Sequence, residues 1–468
     1  KPSTLPLSTP MKPATFFWTA CLLAIALVCP TAGADNAAQP NFVVIFADDL
    51  GYGDLSCYGH PTIHTPRLDR MAAEGMRFTQ FYSAAPVCTP SRAGLLTGRL
   101  PIRSGLCGRR RVLFPDSTGG LPDDEVTLAE LLSSAGYATA CIGKWHLGHL
   151  PQYLPTRHGF DYYFGLPYSN DMHGRPAQNN RPAWQPLPLM RNEEIVETDP
   201  DQGRLTERYT DEAIGFIRRT VGGDRLRPFF VYLPHTMPHV PLHASSDDAG
   251  RSLRGLFGDV VEAIDASTGR ILDALNELGV ADNTLVFFSS DNGPWLTQKL
   301  NGGSAGCLRD GKGSTWEGGM REPGIAWWPG HVPAAAVSHA MSSTLDLLPT
   351  FCQLASVAPP SDRPLDGHDL SKVLLQDDAA GPRDTMFYYR DAELFAVRRG
   401  PWKLHLRTQS GYNQPRPETH DPPLLFHLDR DPGESFDVAK NEPQVVTELQ
   451  ALIHQHLEDV KPGKNQLD

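Results

Sequence analysis

No Asn-x-Ser/Thr triplet occurs anywhere in the 468 residues, and the eight cysteines form no Cys-x-x-Cys pair. N-linked glycosylation and a thiolate zinc clamp are therefore not expected. Basic charge is also scarce: 42 Lys and Arg stand against 54 Asp and Glu, a net charge of −12, which excludes a nucleic-acid partner that needs a basic face. After the first 34 residues no apolar run is long enough to span a bilayer. What is present, 40% hydrophobic and 21% charged residues, describes a globular chain able to bury a large core.

Residues 1–10 precede Met11 and read as leader. From Met11 the chain reads as a signal peptide: Lys12, an apolar run from Ala14 to Cys29, then the small-x-small site Ala32-Gly33-Ala34. A retained N-terminal anchor is the alternative. The expectation is a secreted or periplasmic chain, with residues 1–34 removed and no stable membrane span afterwards. Cys57, Cys88, Cys107, Cys141, Cys307 and Cys352 then remain.

Phe42 to Phe46 is apolar without alternation, which predicts a strand buried on both faces of a parallel sheet, and it ends in Asp48-Asp49. Thr284 to Ser290 has the same character and ends in Asp291-Asn292. Either end alone could be an exposed acidic turn. If the two strands are neighbours, their oxygens form a hard-cation site. Further strands are predicted over 76–82, 137–142 and 229–233, and helices over 65–75, 206–219 and 256–278, with a capping box from Thr127 to Glu130. The Pro- and Gly-rich stretch 150–204 reads as a long insertion over the sheet edge. Four short strands and a helix after residue 359 suggest a small antiparallel appendage, which divides the mature chain into 35–358 and 359–468.

Between these elements lies Cys88-Thr89-Pro90-Ser91-Arg92. With Thr89 as N-cap, Pro90 at the first helical position and Gly98 as stop, it would set a reactive sulfur at a helix mouth, where free N–H groups and Arg92 favour an anion. A structural cysteine beside an arginine would read the same in isolation. His235, His239 and His243 are spaced like helical metal ligands, but Pro234, Pro238 and Pro241 exclude a regular helix there. One histidine on this loop is a site candidate.

Taken together, Ala47 to Asp54, Cys88 to Arg99, Gly143-Lys144-Trp145-His146-Leu147-Gly148, Ser290 to Gly293 and Gly311 to Pro323 resemble the type I sulfatases, most nearly their arylsulfatase A branch. The resemblance runs over nearly the whole mature chain. It implies an α/β fold of the alkaline-phosphatase-like kind, a large mostly parallel sheet flanked by helices, with a smaller C-terminal antiparallel sheet. It also implies that Cys88 is oxidised to formylglycine by a formylglycine-generating or anaerobic maturation enzyme. Asp48, Asp49, Asp291 and Asn292, with converted Cys88, would hold Ca2+, or Mg2+ in its place. Arg92 and Lys144 would stabilise the aldehyde hydrate, and Lys144, Lys312 and Ser169 would bind sulfate oxygens. His146 would be the base on the hydrate and His239 the acid facing the leaving alcohol.

Two rivals are weighed against a sulfatase of aryl sulfates or sulfated carbohydrates. A phosphatase of the same superfamily would use Ser or Thr as nucleophile and two transition metals, which Cys88 and a single oxygen-ligand set oppose. An unconverted chain that only binds sulfated glycans has the same sequence. Arg109-Arg110-Arg111 and the loop with Arg175, Arg181 and Trp184 are either a surface for an anionic sugar or solvated charge.

Overall fold

The computed structural model describes residues 39–177, 183–223 and 227–467. The signal-peptide expectation, Cys21, Cys29 and Arg181 lie outside them.

The larger sheet has eleven strands. They are β1 (Asn41–Ala47), β2 (Met76–Tyr82), β3 (Ala138–Ile142), β4 (Tyr162–Gly165), β5 (Pro188–Arg191), β6 (Glu194–Thr198), β7 (Phe229–Pro234), β8 (Thr284–Ser290), β9 (Arg321–Trp327), β10 (Ala336–Ser338) and β11 (Ser342–Ser343). Their order is β10-β2-β9-β8-β1-β7-β3-β4-β5-β6, with β11 also on β2. The five central neighbours β8, β1, β7, β3 and β4 are mutually parallel, so the C-terminal ends of all five open on one rim. Every residue of β1 and β8 is buried, as their unbroken apolar runs require.

Helices cover both faces. Leu205–Val221 and Leu256–Glu277 pack with Pro66–Glu74 on one side, and Leu128–Ser134 and Leu347–Leu354 lie with Cys88–Thr97 on the other. Thr127 accepts from Glu130 N at 3.1 Å while the Glu130 carboxylate accepts from Thr127 N, the expected capping box. The stretch 150–204, read as an insertion over the sheet edge, in fact extends that edge. It supplies β4 to β6, whose four- and five-residue edge strands are too short to show a period. β9 was not foreseen either, because Pro323 and Gly324 interrupt its pattern, and it runs antiparallel between β2 and β8.

The smaller sheet is antiparallel in the order β12 (Thr385–Arg390), β13 (Glu393–Arg399), β14 (Trp402–Thr408) and β15 (Glu418–His427), and the helix Pro443–Asp459 packs on it. A fully buried polar network joins it to the larger sheet. Lys403 Nζ lies 2.8 Å from Glu317 Oε1 and 3.0 Å from Glu434 Oε1, Glu317 accepts from Tyr82 Oη, and His405 Nε2 is 2.7 Å from Glu434. Burial alone would raise the Glu317 carboxyl, but Lys403, Arg398 and Arg321 outweigh it and hold it at about 2. Among the described residues no helix is long and apolar enough to cross a membrane.

Removing the cation at the centre of this network leaves two buried carboxylates exposed to each other. Lys403→Met is expected to cost about 3–5 kcal/mol in urea unfolding. Thr127→Ala, which removes one cap, is expected to cost only about 1 kcal/mol.

Candidate active site

The rim at the ends of the five parallel strands gathers the residues singled out in the sequence. Asp48 and Asp49 follow β1, Asp291 and Asn292 follow β8, Lys144 and His146 follow β3, Ser169 follows β4, and His239 follows β7. All are buried. Asp291 N donates to Ala47 O at 3.1 Å and Lys144 N to Pro234 O at 2.7 Å, so sheet pairing continues into the site and fixes where the side chains start. Gly143 makes that continuation possible: a Cβ there would lie 1.9 Å from Pro234 O.

Cys88 is the first residue of the helix Cys88–Thr97, whose N-cap is Val87 and not Thr89. The Thr89 hydroxyl is used otherwise. It donates to His146 O at 2.9 Å and accepts from Leu113 N at 3.2 Å, stitching the helix to the segment over it. The helix mouth does not yield a thiolate. Burial pushes the Cys88 thiol well above its ordinary pKa, and the nearby Lys144 and Lys312 do not compensate. The sulfur sits 3.5 Å from Asp48 Oδ1 as a donor.

Each carboxylate has a cation within 2.8 Å, and Arg92 Nη2 also reaches Asp48 Oδ2 at 3.5 Å. Lys144 Nζ lies 2.5 Å from Asp48 Oδ2, Lys312 Nζ 2.7 Å from Asp49 Oδ1, and Arg92 places Nε and Nη2 at 3.1 and 2.8 Å from Asp291 Oδ2. The remaining Arg92 nitrogen, Nη1, donates to Lys144 O at 2.8 Å. Burial works to raise all three acids. For Asp48 the surrounding Lys144, His239, Arg92 and Lys312 win and hold it well below the carboxylate range. For Asp49 burial wins, aided by Asp48 and Asp291, and pushes it up to about 7. Ligating atoms of Asp48, Asp49, Cys88 and His239 all lie within 4.8 Å of one another. Asn292 gives its amide to Asp49 Oδ1 at 2.7 Å, while its Oδ1 is buried without a partner among the described residues. An orphaned buried carbonyl among three carboxylates suits a hard divalent cation.

The two site histidines are held in opposite senses. His146 Nε2 donates to Leu113 O at 2.9 Å, leaving buried Nδ1 as the bare nitrogen. His239 Nδ1 is 2.6 Å from Val240 O, so Nε2 is its open nitrogen, 3.7 Å from Asp49 Oδ2. Burial pushes both rings well below the usual imidazole pKa, aided by Lys144 at His146 and Lys312 at His239. His235 is buried elsewhere, 3.4 Å from Ser267 Oγ, and His243 lines a separate cleft with Asp201 and Ser245. Ser169 Oγ accepts from Lys144 Nζ at 3.1 Å. Trp295 and Tyr412 were not foreseen: the Lys312 ammonium lies 4.5 Å from the Trp295 ring centroid, and the Tyr412 ring is 5.1 Å from Trp295.

The family described as Sulfatase matches residues 40–357, and the C-terminal region of aryl-sulfatase matches residues 381–468. The chain belongs to the sulfatase family. It is 43% identical to N-acetylgalactosamine-6-sulfatase of Homo sapiens, over 93% of this chain and 89% of that protein. It is also 43% identical to arylsulfatase A of Homo sapiens, over 91% and 89%. Among solved structures it superposes on the PsFucS1 sulfatase from Pseudoalteromonas sp. with a TM-score of 0.82 at 30% identity, covering 91% of this chain and 92% of that one. For Ps i-CgsB, solved in complex with k-i-k-neocarrahexaose, the TM-score is 0.76 at 32% identity, with 89% and 92% covered. This sulfatase is thus a sulfuric ester hydrolase with the alkaline-phosphatase-like fold expected from its sequence.

Arg92 is wholly buried and answers Asp291. Arg92→Leu is expected to lower stability by about 3–5 kcal/mol in denaturant titration, since it strands a buried carboxylate. Arg92→Lys keeps the charge and should recover part of that loss.

Proposed function

We propose that this sulfatase hydrolyses sulfate monoesters of aryl or carbohydrate alcohols with a formylglycine made from Cys88, in a calcium-dependent site, after export from the cytoplasm. The observation that carries the reading is the pairing of three buried carboxylates with three buried cations around Cys88. Asp48, Asp49, Asp291 and Asn292 would hold the calcium, which supplies charge stabilisation at the sulfuryl oxygens and takes over neutralising the carboxylates. Formylglycine hydrate at position 88 supplies the oxygen nucleophile that a protonated thiol does not.

The residues of the chain do the rest. Lys144 and Lys312 present ammonium groups, and Ser169 a hydroxyl, to sulfate oxygens within a pocket that excludes water, where such charges act most strongly. Arg92, locked on Asp291 and the Lys144 carbonyl, sets the height of Lys144. His146 offers bare Nδ1 to take a proton at position 88, its ring fixed by the Leu113 carbonyl. His239 Nε2 carries the proton for the leaving oxygen. Its depressed basicity makes it a ready donor once protonated.

Mass analysis of the Cys88 peptide from a host with a maturation enzyme tests the reading directly. An aldehyde is expected there, and Cys88→Ala should abolish turnover of 4-nitrophenyl sulfate with an unchanged melting temperature. A silent glycan binder would show the unmodified thiol and no turnover.

Calcium should also stabilise the fold, and more so as pH rises. Asp49 titrates near 3.8 unfolded and about 7 folded, so its ionisation in the folded, metal-free protein is unfavourable and costs stability as pH climbs through that window. A bound cation relieves this cost. The difference in melting temperature between calcium and chelator is expected to widen from pH 5 to pH 7.5.

Removing the acid should hurt poor leaving groups selectively. In His239→Ala, turnover of a sugar sulfate should fall by about a hundred- to ten-thousand-fold, and that of 4-nitrophenyl sulfate far less. His235→Ala and His243→Ala should show no such difference between the two substrates. Equal losses on both substrates in all three variants would assign His239 to binding.

A further inference from the structure

Beside Lys312 stands a group that none of the sulfate chemistry uses. Tyr412 lies on the turn 409–417 between β14 and β15, so it reaches the site from the smaller sheet. Arg390 holds that turn by donating Nη2 to Gly411 O at 3.0 Å, and it also bonds Gly313 O beside Lys312. The Tyr412 ring is held by Trp295, at 5.1 Å, and by the Arg111 guanidinium, 5.0 Å from its centroid. Its hydroxyl has no hydrogen-bond partner among the described residues, and the residue as a whole remains 41% exposed. A Cβ on Gly313, next to Lys312, would lie 3.3 Å from the Tyr412 ring, so the phenol borders the turn that carries this lysine.

Arg111 is only partly engaged. It pairs with Asp391, whose Oδ1 lies 3.4 Å from its Nε, and it packs on the Tyr412 ring. Its backbone is left-handed at φ 65, as are those of Asp49 at 67 and His146 at 59. A non-glycine residue held there costs free energy and marks a position the surroundings insist on. Gly108 O accepts from Arg111 N at 2.8 Å, and Leu113, two residues on, anchors His146.

We infer that Tyr412 and Arg111 form a subsite for the alcohol part of the substrate, and that this alcohol is a sugar carrying a second oxyanion, a carboxylate or another sulfate. The phenol meets a ring hydroxyl next to the scissile sulfate. The guanidinium fork takes the second oxyanion through two parallel N–H donors, a geometry that a lysine does not reproduce. This rests on the sulfatase reading of the site and adds the substrate class to it.

The test compares KM and kcat for 4-nitrophenyl sulfate, N-acetylgalactosamine 6-sulfate, its 4,6-disulfate, and the 6-sulfate linked to glucuronate. Wild type should prefer at least one substrate with a second oxyanion, and which one names its source. Arg111→Ala should raise KM for that substrate about 10- to 100-fold, the worth of a charged hydrogen-bonded contact, with a much smaller rise for 4-nitrophenyl sulfate. Arg111→Lys should restore little. Tyr412→Phe, which keeps the ring packed on Trp295, should raise KM for every sugar sulfate more than for the aryl one. Arg270→Ala, on the surface of the Leu256–Glu277 helix, is the unchanged control. Wild-type turnover without preference for a second oxyanion, or variants that shift all substrates alike, would overturn the subsite and leave the sulfatase reading standing. Absence of any turnover in aldehyde-bearing wild type would overturn both.

Discussion

Three carboxylates cannot share one dry pocket unless their charge is answered there. At the ends of β1 and β8 the answer is three cations, Lys144 on Asp48, Lys312 on Asp49, and Arg92 on Asp291 and more distantly on Asp48. An unanswered buried charge costs several kcal/mol, so these pairs constrain the fold as much as the chemistry. The partners come from residues 48 to 312 and meet only when the sheet is complete. Charge balance at the rim is therefore a check on the whole topology.

Parallel pairing accounts for the convergence. Because β8, β1, β7, β3 and β4 point the same way, each strand's exit lands beside its neighbour's, and a short backbone overrun carries five segments into one pocket. The smaller sheet joins this arrangement through the buried Glu317–Lys403–Glu434 network. Glu317 lies five residues after Lys312, so the same contact that docks the second sheet steadies the turn that carries this lysine. Tyr412 arrives at the site by that route.

The legible part of the sequence was what local pattern encodes. The unbroken apolar runs of β1 and β8 with carboxylate and amide oxygens at their ends marked a candidate cation site, and their being neighbours is now seen in the pairing of Asn41 with Thr284 through Ala47 with Ser290. The prolines around His239 separated it from a zinc helix. What was hidden depended on tertiary approach. The length of β4 to β6 is set by an edge they pair with and not by their own period. Tyr412 and Trp295 are more than a hundred residues apart and carry no spacing signal. The thiol at Cys88 was expected to gain from the helix mouth, but full desolvation outweighs a helix terminus and two lysines.

That same burial bears on the proposed maturation. Cys88 is 2% exposed, its sulfur is directed at Asp48, and its helix is stitched through Thr89 to the segments of Leu113 and His146. Another enzyme could not reach the side chain without lifting those segments and separating the Lys144–Asp48 pair. Under the proposed conversion of Cys88, modification would come before closure of the rim, while the segment around Cys88-Thr89-Pro90-Ser91-Arg92 is still extended. Recognition at that stage would use only what the unfolded chain displays, which is sequence. The folded site imposes a second set of demands on the same residues: Arg92 must answer Asp291, and Thr89 must bridge to His146. Under that proposal two readers at different times, one of an open chain and one of a closed pocket, would place demands on the same positions.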